Sequence, residues 1–201
     1  VEMLGRINHV LESIPSQLSK ENKKFQYSLI SKNARGKTYS SAIQWLSDYG
    51  LINLSYNLSR LQLPLNGNRD DSAFKVYMAD TGLFVSMLDR GTYSSILSGD
   101  LYTYKGAVFE NVISDILIEN GVRLYYYRKD SGLEIDFVSA HSGRICLIEV
   151  KAYTGNTKSA KSVMSDEKNR DVDICYKLGD CNMGSMNRIL TLPLYMAPLV
   201  A

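Results

Sequence analysis

Asp136, Glu149 and Lys151 are residues whose types and spacing could do chemistry. They sit in two runs, Gly132-Leu-Glu134-Ile-Asp136-Phe-Val-Ser139 and Ile145-Cys-Leu-Ile-Glu149-Val-Lys151, separated by Ala140-His-Ser-Gly-Arg144. β-Branched and aromatic residues at period 2 on both sides of a turn predict an antiparallel hairpin. Alternation then puts Glu134 and Asp136 on one face of the first strand, and Glu149 and Lys151 on one face of the second. A register in which partner numbers sum to 285 places Asp136 opposite Glu149 and Glu134 opposite Lys151. A sum of 283 also keeps the four on one face, whereas an even sum separates them. Two carboxylates and an ammonium on a rigid sheet can bind a hard divalent cation and position a water beside it. Cross-strand Glu–Lys pairs also serve as plain ladder stabilisers, at roughly 0.2–1 kcal/mol each. Acidic residues are nonetheless disfavoured inside strands.

The elements before and after the hairpin must position these groups. From Lys105 to Asn120, Val108, Phe109, Val112, Ile113, Ile116 and Leu117 recur at helical spacing, and Gly121 closes the helix. Glu110 falls at the margin of that stripe, along the core boundary, while Asn111 and Asp115 are expected to face solvent. A strand over Arg123–Arg128, the hairpin, a helix over Thr157–Lys168 and a strand over Val172–Leu178 complete the order. This order of helix with an edge Glu, strand, strand with Asp136, strand with Glu149-Val-Lys151, helix and strand resembles the PD-(D/E)xK nuclease superfamily. The resemblance implies a restriction-endonuclease-like αβββαβ core in which Asp136 and Glu149 ligate Mg²⁺ and Glu110 completes the site. It further implies that Lys151 orients the attacking water. Beside two carboxylates that lysine keeps its charge, so it acts as a positioner and electrostatic stabiliser rather than a base. Glu134 is expected to support the acids or to pair with Lys151.

Further stretches narrow the resemblance: Lys23-Lys-Phe-Gln-Tyr27, Ala42-Ile-Gln-Trp-Leu46 with Gly50-Leu-Ile52, Phe74-Lys-Val-Tyr-Met-Ala-Asp-Thr-Gly-Leu83, Lys105-Gly-Ala-Val-Phe-Glu-Asn111 and Tyr127-Arg128. Together they resemble the C-terminal region of bacterial and archaeal AAA-type ATPases that carry an uncharacterised nuclease-like domain, over nearly the whole chain. The resemblance implies that an ATPase domain lies outside this chain and that ATP binds only through it. It implies the C-terminal half of a longer protein, with which the non-Met start agrees, and it implies DNA and the chain's own ATPase domain as partners. The expected function is Mg²⁺-dependent DNA endonuclease activity. The alternative is a non-catalytic DNA-binding or docking module that regulates the ATPase.

At 201 residues the chain has room for one large or two small domains, and its 45% apolar and 22% charged composition is ordinary for a globular protein. A net charge of +2 is too small to argue for nucleic acid by itself. Cys146, Cys175 and Cys181 form no C-x-x-C pair, which fits a reducing compartment and no structural zinc, with Cys146 in the core of its strand. No run approaches the roughly 20 apolar residues of a membrane helix, and no signal-peptide pattern opens the chain. A cytoplasmic protein with no membrane partner is expected, and oligomeric state is left open.

The expected fold class is α+β, with a winged-helix-like module over 1–90 and the nuclease-like domain over 91–201. The module begins with a helix at Val1–Leu11 stopped by Pro15, and continues with a helix at Ser40–Tyr49 closed by Gly50. Strands over Leu51–Leu58 and Ala73–Ala79, joined through Asn66-Gly67, form its wing. Lys32, Arg35 and Lys37 border its second helix and could face DNA, although winged helices serve equally as protein linkers. Gly36-Lys37-Thr38 is not a phosphate loop, because Ser31 stands where the first glycine of G-x-x-x-x-G-K-[ST] belongs. Asp80–Asp100 is read as a connector, with a helix at Gly82–Leu88 and a loop over Gly91–Asp100. Thr154–Thr157 is read as a turn, and Ile189–Val200 as a strand broken by Pro193 and Pro198. Lys158, Lys161 and Tyr125 to Tyr127 could touch a nucleic-acid backbone or stack on bases, the tyrosines being more often core.

Overall fold

Apolar residues at helical spacing carry the first helix further than its proline suggests. The computed structural model describes residues 2–20, 23–98, 104–152 and 155–200. Helix α1 (Glu2–Leu18) runs through Pro15 instead of stopping before it. Proline inside a helix costs about 3 kcal/mol, because it removes a hydrogen bond and crowds the preceding turn. Ile14 and Leu18, both fully buried on the same face as Ile7 and Val10, offset that cost at roughly 1.5–3 kcal/mol each. This face packs on α2 (Gly36–Asp48), which presents Ala42, Ile43 and Leu46. Gly50, at φ +67°, ends α2: its N–H bonds Ser47 and that of Leu51 bonds Leu46, the paired closure that a left-handed residue permits.

The chain divides into two compact units and passes between them more than once. The first holds 1–54 and 75–115, the second 55–74 and 116–201. The first unit contains α1, α2, α3 (Thr81–Ser86) and α4 (Arg90–Leu97), together with the start of α5 (Lys105–Glu119). Helix α4 occupies most of the stretch expected as a Gly/Ser-rich loop. The end of that expected loop, at 99–100, and Thr154 of the expected turn lie outside the described residues.

The strands form one mixed sheet in the order β2-β1-β3-β4-β5-β6-β8-β7. They are β1 (Ile52–Leu58), β2 (Arg69–Met78), β3 (Tyr125–Arg128), β4 (Glu134–His141), β5 (Arg144–Lys151), β6 (Val172–Gly179), β7 (Gly184–Met186) and β8 (Ile189–Pro193). The two strands expected as a wing are present, and they continue the sheet, β1 lying parallel to β3 through Tyr56↔Tyr125 and Asn57↔Tyr126. β3, β4 and β5 are antiparallel neighbours, and β5 and β6 are parallel, joined through α6 (Lys158–Ser165). Ala160 and Val163 of α6 cover Ile145, Leu147, Val172 and Cys175 in the core of the second unit. Tyr125 and Tyr127 are buried in that core and Tyr126 is buried as well, which leaves the three to packing rather than base stacking. β7, exposed and three residues long, has no periodic signal in the sequence. The tail is strand only to Pro193 and then a 3₁₀ turn over Leu194–Leu199. Among the described residues, no helix is long and apolar enough to cross a membrane.

The cysteines give a direct check of this core. Burial pushes the Cys175 thiol up to about 12, with Glu149 adding to the effect and Lys151 opposing it. Burial raises the Cys146 thiol as well. Because the thiolate is the reactive form, alkylation at pH 8 should label the half-buried Cys181 first, and Cys175 only on unfolding. Peptide mass spectrometry of briefly alkylated native protein reads the order, and early labelling of Cys175 would contradict the packing.

Candidate functional site

The hairpin forms in the register that keeps its charges together. Ser142 and Gly143, at φ 50° and 75°, make a two-residue turn of the kind whose twist matches antiparallel strands. Pairing runs from Phe137↔Ile148 to His141↔Arg144, and every pair sums to 285, one of the two registers that keep the four charges on one face. The β3–β4 register shifts between Tyr125 and Tyr127, opposite the stretch that contains Asp136. Here the Asp136 side chain itself accepts a main-chain bond: Oδ2 takes the N–H of Val150 at 2.8 Å.

Lys151 joins the two acids. Its Nζ lies 2.6 Å from Glu149 Oε2 and 3.9 Å from Asp136 Oδ2. Glu149 is only 2% exposed, and its other oxygen, Oε1, accepts the N–H of Ala160 at 3.0 Å. Ala160 lies in the first turn of α6, where N–H groups lack helical partners and negative charge is favoured. Thr157, at the head of α6, makes no side-chain cap bond, so Glu149 supplies from the sheet what the helix lacks locally. Glu134 is held by Arg128 at 2.8 Å across the β3–β4 pair.

Glu110 belongs to the first unit and is engaged there. It is 5% exposed, with Lys23 on Oε1, and with the Tyr77 hydroxyl at 3.1 Å and Lys75 Nζ at 3.9 Å from Oε2. Burial alone would raise its carboxyl, but Lys23 and then Lys75 more than offset this and hold it below the usual range. Its neighbours on α5 also differ from expectation. Asn111 is fully buried, bonding the N–H and C=O of Met78, and Asp115 is half-buried against the Thr81 hydroxyl at 2.6 Å. The periodicity of α5 marks only one apolar stripe. Partners that arrive from residues 23, 75, 77 and 78 leave no trace in that pattern.

Asp136, Glu149 and Lys151 are therefore the expected site residues that the second unit brings together. Among the described residues, no group of three or more His, Cys, Asp or Glu is arranged to hold a metal ion. Two hard carboxylates on adjacent strands do match Mg²⁺, which commonly takes one or two carboxylates and fills its other positions with water and phosphate oxygens. Lys158 and Lys161 are exposed on α6 of this unit, and Lys32, Arg35 and Lys37 are exposed in the first unit around the start of α2.

Residues 1–94 match the family described as Domain of unknown function (DUF8612), and residues 105–195 match the family described as Domain of unknown function (DUF4143). No curated protein and no solved structure matched the chain. Two domains of unknown function are thus found in tandem, and Glu110, Asp136, Glu149 and Lys151 all fall within the second.

Proposed function

We propose that this chain is the C-terminal region of a cytoplasmic AAA-type ATPase, and that its DUF4143 region is a Mg²⁺-dependent DNA endonuclease with a restriction-endonuclease-like core behind a winged-helix-like module. The observation that carries the reading is the Lys151 ammonium reaching both Asp136 and Glu149 from adjacent strands. The element order α5-β3-β4-β5-α6-β6, with β3 to β5 antiparallel and β6 parallel to β5, supports it. So does the frequent occurrence of DUF4143 in AAA-ATPase-associated proteins.

Asp136 and Glu149 would hold the ion, each aimed by the main-chain N–H that it accepts. When bound, the ion supplies a polarised phosphoryl oxygen and a water of lowered pKa. Lys151 would orient the attacking water and offset negative charge gathering on the phosphoryl group. Glu110 enters this reading as an acid that stabilises the first unit, already engaged by two lysines and a tyrosine.

A second reading is a non-catalytic DNA-binding or docking module that regulates the ATPase. It is favoured by one observation: both Glu149 oxygens are taken by protein donors, in a residue almost closed to solvent. Cleavage of plasmid and single-stranded DNA with Mg²⁺ or Mn²⁺ separates the two. Lys151→Ala should lose on the order of a hundredfold or more in rate, as for removal of one preorganised electrostatic group, while calorimetry shows divalent-ion binding retained. Asp136→Ala or Glu149→Gln should lose most of the ion affinity. Equal cleavage by wild type and Lys151→Ala would overturn the nuclease reading and leave the docking one.

A further inference from the structure

A second charged cleft lies in the same unit, away from the three site residues in sequence and built from other elements. Its volume is about 480 Å³, and Arg60, Tyr127, Lys129, Asp166, Lys168 and Asn169 are among its lining residues. The three cations against one carboxylate leave a surplus of two positive charges. The carboxylate is spent on holding the wall in place. Asp166 Oδ1 accepts the N–H of Lys168 at 3.0 Å and Oδ2 meets Lys129 Nζ at 3.4 Å. The floor is fixed as well, since Tyr127 is buried, with Lys129 Nζ 5.9 Å from its ring centroid, and the buried Asn169 bonds the carbonyl of Val163 at 2.9 Å. Arg60 and Lys168 are exposed, and among the described residues neither is in an ion pair.

The topology places this cleft with respect to the acids. β1 runs parallel to β3 and β3 runs antiparallel to β4. Arg60, just past the end of β1, and Lys129, just past the end of β3, therefore lie at the end of the sheet where β4 begins with Glu134 and Asp136.

We propose that this cleft binds a phosphomonoester, the terminal phosphate of a nucleic-acid strand. A phosphomonoester carries about −1.5 to −2 at neutral pH, which matches the surplus of the cleft, whereas an internal phosphodiester carries a single charge. Arg60 offers a planar fork suited to two phosphate oxygens, and Lys168 and Lys129 act as point charges. The choice of a strand end over a free nucleotide rests on the endonuclease reading, through the shared end of the sheet. The phosphomonoester chemistry does not.

The test needs neither metal nor turnover. Fluorescence anisotropy in EDTA compares two single-stranded oligonucleotides of about ten nucleotides, identical except for a 5′-phosphate or a 5′-hydroxyl, each labelled at the 3′ end. The phosphorylated strand should bind at least about tenfold tighter, since the terminal phosphate adds charge-assisted hydrogen bonds to Arg60 and Lys168 that the hydroxyl lacks. That preference should vanish in Arg60→Gln/Lys168→Gln, whose exposed positions spare the fold as judged by circular dichroism. It should persist in Lys151→Ala, so that failure of the nuclease reading and failure of this one are read separately. Competition by adenosine monophosphate as effective as that by the phosphorylated strand keeps the phosphomonoester and makes a free nucleotide its source. Weaker competition supports the strand end. Equal binding of the two oligonucleotides, or a preference that survives in the double variant, overturns the proposal.

Discussion

Glu110→Ala is expected to destabilise the protein by about 3–5 kcal/mol, the range found when one partner of a buried ion pair is removed. With Glu110 gone, the charges of Lys23 and of Lys75, which is fully buried, lose the carboxylate between them. A whole domain is stable by only about 5–15 kcal/mol, so the loss should be plain in a denaturant titration. The pH dependence follows from the lowered folded-state pKa. Glu110 binds its proton less readily folded than unfolded. Its contribution is therefore full above the unfolded carboxylate value near 4.5 and is lost as pH falls through the folded value below it. Glu110→Ala should flatten the acid limb of the stability curve, and Glu110→Leu paired with Lys75→Met should recover much of the loss. A carboxylate kept for an exchangeable ion behaves in the opposite way, because its removal without the ion leaves stability unchanged or raised. Such a result would remove the buried-cluster account and return Glu110 to the ligands.

Gly179→Ala is expected to cost about 1–3 kcal/mol, as forced overpacking does. On the proposed reading it also lowers the cleavage rate about a hundredfold with every site residue in place, since a shift of about 1 Å in a positioned group can cost that much. Gly179 pairs with Lys151 across β5 and β6, and a Cβ there would lie 2.5 Å from the Lys151 carbonyl oxygen. Main chain cannot rotate away as a side chain can, so the end of β5 must move and carry the ammonium with it. Gly155 provides the control. A Cβ at Gly155 would meet Lys151 Cδ at 2.9 Å, part of a flexible side chain, so Gly155→Ala should be milder in both measurements. Wild-type stability and rate in Gly179→Ala would show that Lys151 is not placed by this contact.

The second unit was the more legible in sequence, and the reason is local. A hairpin writes the face of each side chain into alternation, so Asp136, Glu149 and Lys151 could be placed on one face from sequence, while the choice between the two registers that allow it waited on the Ser142-Gly143 turn. Gly50 and Gly121 likewise marked the ends of α2 and α5, because their φ angles of +67° and +76° suit glycine. Long-range effects were hidden. Pro15 signals a stop, and the burial that overrides it depends on α2, some 25 residues later. The strands beside Asn66-Gly67 were found, but not that β1 would pair with β3. The period of α5 could not report that Lys23, 87 residues from Glu110, would meet it. Nor could alternation show that Asp136 would take a main-chain N–H, since the β3–β4 irregularity nearby depends on how three strands fit together.

The interleaving of the two units has a consequence for biosynthesis. The first unit begins with residue 1 but cannot be completed until residues 75–115 have left the ribosome, after the 55–74 stretch that belongs to the other unit. Lys23 and Lys75 are both synthesised well before Glu110 and must wait, charged and hydrated, for the carboxylate that both of them contact. A chain cut between 94 and 105, where the two family matches part, would leave the N-terminal piece without Glu110 and Asn111. The segment that looks like a linker in sequence is therefore a poor place to divide this protein, and its two halves are better regarded as one folding transaction.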